Sequence, residues 1–162
     1  MRSPRVFTFI IQSYQRSSGT AADYYVNIPQ IDALANGGDR PDYYELYLDR
    51  ICGTIVTTNE SVTTDVTGFV QLAIDLPAPY LYEATNISNI KFVVPVQSVA
   101  NGYMLDQNAR TMNPIIISAS GLSSMLHIQL YNDTTNAPTN IASLITPGTH
   151  EHIIVLTLKE RF

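Results

Sequence analysis

Short runs of β-branched and aromatic residues recur along the whole chain, separated by turn residues, and no stretch carries a helix-length period. Residues 6–13 read VFTFIIQS, apolar on both faces. Residues 24–31 (YYVNIPQI) follow the polar turn RSSGTAAD. Residues 43–52 alternate, with Tyr44, Leu46 and Leu48 on one face and Glu45, Tyr47 and Asp49 on the other. Residues 54–58 are expected to continue that strand past a bend at Gly53. Residues 68–76 point Val70, Leu72 and Ile74 inward, with Gln71 and Asp75 outward. Residues 89–97 are apolar on both faces, but Pro95 has no N–H to give a ladder and belongs at an edge or a bulge. Residues 115–118, 125–131 and 152–159 complete the set. Helical signal is confined to 31–36, stopped by Gly37-Gly38, and 79–85, both shorter than the roughly 12 residues an independent helix needs. Turn pairs recur, with Asn-Gly at 101–102 and Pro-Gly at 147–148. Roughly eight to ten strands joined this way predict one all-β domain over 1–162, an antiparallel sandwich or barrel.

Charge narrows the partners. Only 14% of the 162 residues are charged, against about 25% in an ordinary globular chain. Seven arginines and two lysines face fourteen acidic residues, for a net charge of -5. That balance argues against duplex nucleic acid, which is met by clustered basic side chains. The surface must be carried by Asn, Thr, Ser, Gln and Tyr. The single cysteine, Cys52, closes no internal disulfide, and its place after Leu48 in the alternation predicts a buried, inert thiol. The apolar run near the N-terminus is short and lacks a small-residue cleavage site. No run approaches the roughly 20 apolar residues of a membrane span. A soluble protein made in a cytoplasm, without a membrane span, is the expectation.

The search for chemistry yields little. His150 and His152, two apart around Glu151, fall on one face of a strand and would bind zinc if a third ligand approached; the alternative is a polar start to the last strand. His127 lies opposite Leu126, Ile128 and Leu130, exposed or at a subunit contact. There is no nucleophile elbow and no phosphate-binding loop. The carboxylates are scattered, and Asp39 and Asp42 flank Arg40-Pro41 in a polar link. Asn59, Asn86 and Asn132 head N-x-[ST] triplets, common by chance in an Asn- and Thr-rich chain. No enzyme activity, cofactor or metal is expected. The long polar stretch 132–150 reads as a surface excursion or an arm wrapping a neighbour.

Tyrosine is in excess. The chain has ten Tyr, five Phe and no Trp. Tyr24-Tyr25 and Tyr43-Tyr44 are adjacent pairs, so one ring of each points inward and the other outward. Outward rings suit protein interfaces and sugar stacking; Tyr also fills half-buried sheet positions by its β-propensity. A carbohydrate-binding β-sandwich therefore stays open beside a structural role, although it would lack the stacking Trp common in sugar sites.

The first thirty residues carry a more specific pattern. An apolar strand ending at Ser13, then Arg16, a turn with Gly19 and Thr20, and an aromatic strand with Tyr25 ending at Ile28-Pro29 resemble the opening of small jelly-roll capsid proteins of large double-stranded DNA viruses and virophages. The resemblance implies a single jelly-roll antiparallel β-sandwich of about eight strands. It implies a structural capsid protein, a penton subunit forming a homopentamer at the fivefold vertices of an icosahedral virion, or alternatively a minor capsid protein beneath the major shell. One jelly roll with short loops nearly uses up this length, which favours the vertex. Its partners would be further copies of itself, the neighbouring capsomers of the major capsid protein and other minor capsid proteins. The residues expected at subunit interfaces are Arg16, Tyr25, Tyr43, Tyr47, His127 and Tyr131.

Overall fold

The computed structural model describes residues 3–20, 22–36, 40–56, 69–76, 90–99, 102–120, 122–132, 139–140 and 151–162. Its strands are β1 (Val6–Gln12), β2 (Ser18–Thr20), β3 (Asp23–Asn27), β4 (Tyr43–Val56), β5 (Phe69–Ile74), β6 (Ile90–Val99), β7 (Gly102–Gln107), β8 (Ile115–Ser118), β9 (Met125–Asn132), β10 (Thr139–Asn140) and β11 (His152–Arg161). A 3-10 turn at Ser13–Gln15 and the helix α1 (Gln30–Asn36) accompany them.

Eight of these strands make two antiparallel four-stranded sheets. One runs β1-β11-β4-β8; the other runs β3-β9-β5-β6. The chain crosses repeatedly between them, and the first and last long strands lie side by side. This is jelly-roll order, two Greek keys folded into a sandwich, as expected from the opening residues. β2 and β10 extend the second sheet, and β7, paired with both β4 and β6, joins the two sheets along one side. β6 and β7 pair as neighbours, Val99 opposite Gly102, and β7 is a strand that alternation alone does not reveal. Pro95 is the last residue of β6 paired with β5, and from Val96 onward β6 pairs with β7. The missing N–H therefore sits where the strand changes partners, in keeping with the expected irregular position.

Local chemistry sets the other ends. The strand expected over 24–31 stops at Asn27, because Ile28-Pro29 opens α1: the Ile31 and Asp32 amides donate to the carbonyls of Ile28 (3.0 Å) and Pro29 (3.1 Å). Proline's fixed φ suits a helix start. The helical turn expected at 79–85 lies outside the described residues, as do Asn59 and Asn86 and most of 132–150.

The core lies between the two inner faces. Tyr44, Leu46, Leu48 and Ile51 from β4 and Ile154, Leu156 and Leu158 from β11 meet Tyr24 and Val26 from β3, Val70, Leu72 and Ile74 from β5, and Leu126, Ile128 and Leu130 from β9. Burying each such side chain contributes about 1.5–3 kcal/mol. The tyrosine pairs divide as predicted: Tyr24 and Tyr44 are fully buried, while Tyr25 is 41% exposed and Tyr43 half-buried. A buried hydroxyl needs a partner. Tyr44 Oη donates to the Leu34 carbonyl at 3.3 Å, and Tyr24 Oη lies 3.0 Å from His152 Nε2.

Cys52 breaks the sequence expectation. The β4–β11 register shifts at Val155/Leu156, with Leu48 opposite Leu156 and Arg50 opposite Val155, so β4 carries an extra residue there. A bulge of this kind reverses face parity beyond it. Ile51 takes the buried position, and Cys52 turns to the outer face, half-buried and opposite Ile153.

Candidate interaction site

Three of the six expected interface residues come together on the outer face of β3 and β9. Tyr25 lies directly across the ladder from His127, and their rings stack at 4.2 Å with planes 9° apart. Asp23, two residues back on the same face, lies 2.6 Å from His127 Nε2 through Oδ1. Its Oδ2 accepts from Gln129 Nε2 at 3.1 Å. Tyr131 continues the row; burial and the nearby Asp23 charge hold its phenol protonated beyond the usual range, against a smaller opposing effect of Gln129. Strand alternation produces the cluster, since 23 and 25 share one face of β3 and 127, 129 and 131 share one face of β9. With Met125 (45% exposed) and Tyr25 at its rim, it forms an aromatic patch whose polar groups are preorganised.

Tyr47 occupies the opposite side of the sandwich, on the outer face of β4. Its hydroxyl donates to Glu45 Oε2 at 3.1 Å, and the Arg110 guanidinium sits 5.0 Å above its ring. Lys159 Nζ pairs with Glu45 at 3.2 Å. Arg110 also pairs with Asp49, which accepts from Thr157 as well. Burial works to raise the Asp49 carboxyl, but hydrogen bonds from Arg110 and Thr157 outweigh it and hold the group below the ordinary carboxylate range. Tyr43 stands apart at the start of β4, beside a cleft with Arg40 and Arg161.

Arg16 faces a partner within the chain. Its Nη1 donates to the Ser13 carbonyl at 2.8 Å and to both Glu151 oxygens at 2.7 and 2.9 Å. The Ser13 hydroxyl also donates to Glu151 and accepts from the His152 amide at 2.9 Å. The two residues singled out near the start of the chain are thus joined by a carboxylate 135 positions away. Burial would raise Glu151, but hydrogen bonds from Arg16 and Ser13 hold it low. Gly53 makes room for this corner: its φ is +149°, and a Cβ there would stand 2.5 Å from the Glu151 carbonyl and from His152 Cα.

The two-histidine zinc reading fails at His152. Its ring points inward, 1% exposed, with Nε2 on Tyr24 and Nδ1 without a hydrogen-bond partner among the described residues. Burial drives its pKa down to about 4, against the raising effect of Glu151. His150 lies outside the described residues. No cluster of three His, Cys, Asp or Glu side chains is placed to hold a metal ion among the described residues, and no helix there is long and apolar enough to cross a membrane.

No protein-family model matches the chain, and no curated protein matches it in sequence. A solved structure of turnip yellow mosaic virus at 100 K is 16% identical over 98% of this chain and 94% of that chain, with a TM-score of 0.25. A second structure of turnip yellow mosaic virus is 13% identical over 99% of this chain and 82% of that one, also at 0.25. The empty head of that virus at 100 K gives 14% identity, 99% and 82% coverage, and 0.22. Superpositions at this level assign no role, and the fold stands on the strand order itself.

Sequence pattern pointed to the outward tyrosines but not to their supports. Asp23 and Gln129 are visible only once β3 and β9 are paired; each then follows from period-two spacing. Arg110 and Glu151 carry no local signal, because their partners lie 61 and 135 positions away.

Proposed function

We propose that the chain is a structural capsid subunit, assembling as a homopentamer at the fivefold vertices of an icosahedral virion and contacting the surrounding capsomers there. The observation that carries this reading is the state of β1. It is the edge strand of its sheet, paired only with β11 among the described residues, and its outer face exposes Val6 (56%) and Ile10 (62%). Ile10 lies opposite Val155, and Gln12 opposite Ile153, which is itself exposed, so the apolar stripe continues onto β11. A soluble monomer normally blunts such an edge with charge, proline or a bulge. Here the strand from Val6 to Gln12 has none of the three.

The aromatic patch at Tyr25, His127 and Tyr131 on the opposite sheet supplies a second surface facing away from β1. A ring requires two different faces on each subunit, a heterologous contact that closes, and a sandwich with one contact surface on each sheet meets that need. The role is mechanical rather than catalytic. Native mass spectrometry of the purified protein tests it: the reading expects a complex of five copies, and a monomer persisting at high concentration would overturn it.

A further inference from the structure

At least four of the nine basic side chains in this acidic chain are matched by a carboxylate among the described residues. Arg5, Arg16, Arg110 and Lys159 pair with Glu160, Glu151, Asp49 and Glu45. Arg161, an exposed residue at the end of β11, makes no ion pair among the described residues. It lines a cleft of about 470 Å³ with Arg40, Asp42, Tyr43, Ile116 and Phe162. The volume falls within the roughly 300–1,000 Å³ of small-ligand sites, more than a single carboxylate side chain fills.

The position follows from the ladder. Arg161 lies opposite Tyr43 at the first residue of β4, and Tyr43 lies opposite Ser118 at the last residue of β8, so the cleft opens at one end of the sheet. Among the described residues its lining holds two guanidinium groups and one carboxylate side chain, Asp42, and Arg40 already has an interaction of its own, which leaves Arg161 as the open cation. Phe162 is 72% exposed, and with Ile116 it supplies apolar wall beside the cations. A guanidinium flanked by apolar surface matches a carboxylate on a short aliphatic stem, which it can hold through two parallel N–H···O bonds.

We propose that this cleft receives an Asp or Glu side chain from a second copy of the chain, with Arg161 as the principal cation. Charge complementarity names that occupant: each copy presents fourteen acidic residues against nine basic ones, so like copies repel unless exposed carboxylates meet cations at the contact. The inference rests on the assembly reading above and adds the contact that offsets this repulsion.

The test compares the wild type with Arg161→Glu and Arg161→Gln by analytical ultracentrifugation at about 0.05 M and 0.5 M salt. Both variants change an exposed strand end, and circular dichroism checks that they stay folded. The wild type is expected to assemble, more weakly at high salt. Arg161→Gln should weaken assembly about tenfold or more and flatten the salt dependence, and Arg161→Glu should weaken it further. Should Arg161→Glu not fold, Arg161→Gln alone decides. Variants that assemble like the wild type, with the same salt dependence, would overturn the cleft contact and leave the assembly reading standing. A wild type that stays monomeric at both salts would overturn both.

Discussion

Acid should destabilise the fold first through His152. In the folded chain the ring is 1% exposed, one nitrogen is on Tyr24 Oη and the other has no partner among the described residues. A charge there would lack water, and Arg16 nearby adds repulsion; the Glu151 carboxylate, already held by Arg16 and Ser13, offsets only part of this. The folded pKa is about 4, against 6.5 for a free ring. Between those values the unfolded chain binds the extra proton, so stability falls as pH drops through 6.5 and levels off near 4. Each unit is worth ~1.36 kcal/mol, which puts the whole loss at about 3 kcal/mol. Glu151 and Asp49, both depressed, lose their stabilising effect at lower pH, as it falls below their ordinary values of 4.5 and 3.8. The range from pH 7 to 4.5 therefore lies above the carboxylate losses, and comparison with a variant lacking His152 separates it from the other histidines.

Urea unfolding followed by far-ultraviolet circular dichroism serves as the assay, because the chain has no tryptophan. The wild type should lose about 2–3 kcal/mol across that range. His152→Phe paired with Tyr24→Phe removes the titration without leaving a buried hydroxyl unpaired, and its stability should be nearly flat; His127 and His150 remain in both proteins and cancel. Equal pH slopes in the two proteins, or an NMR titration placing the His152 midpoint near 6.5, would refute the reasoning.

Other consequences are more local. Gly53→Ala forces a Cβ to 2.5 Å from His152 Cα at a positive φ; a loss of about 2 kcal/mol or more is expected by urea unfolding, and wild-type stability would contradict the close approach. Cys52, on the outer face, should react with a thiol reagent in the folded protein at a rate insensitive to low urea. Reaction only on unfolding would restore the buried position that simple alternation predicts. Replacing Ile10 by Lys, which blunts the β1 edge, should weaken assembly at least about tenfold while leaving the monomer's stability within ~0.5 kcal/mol.

Much of this molecule is legible in period-two alternation. Tyr44, Leu46 and Leu48 are buried in sequence order, and the inner partners of the tyrosine pairs are Tyr24 and Tyr44 as the pattern requires. Alternation fails where one extra residue enters. The bulge before Ile51 exchanges the faces of Ile51 and Cys52, and its cause lies in the pairing with Val155 and Leu156, about a hundred positions away. The short strand β2 has no periodicity of its own to read; it exists because β3 offers a free edge. The same holds for the interface candidates. Outward rings were recognisable as Tyr25 and Tyr47, whereas Arg16 proved to be held by Glu151, a partner fixed only when the last strand begins beside the first.

The most direct test of the central claim is electron cryomicroscopy of the purified, assembled protein. The expected result is a closed ring of five jelly rolls, with the exposed face of β1 and β11 buried against a neighbouring copy. Single copies on the grid, or a complex that leaves Val6 and Ile10 facing solvent, would contradict it.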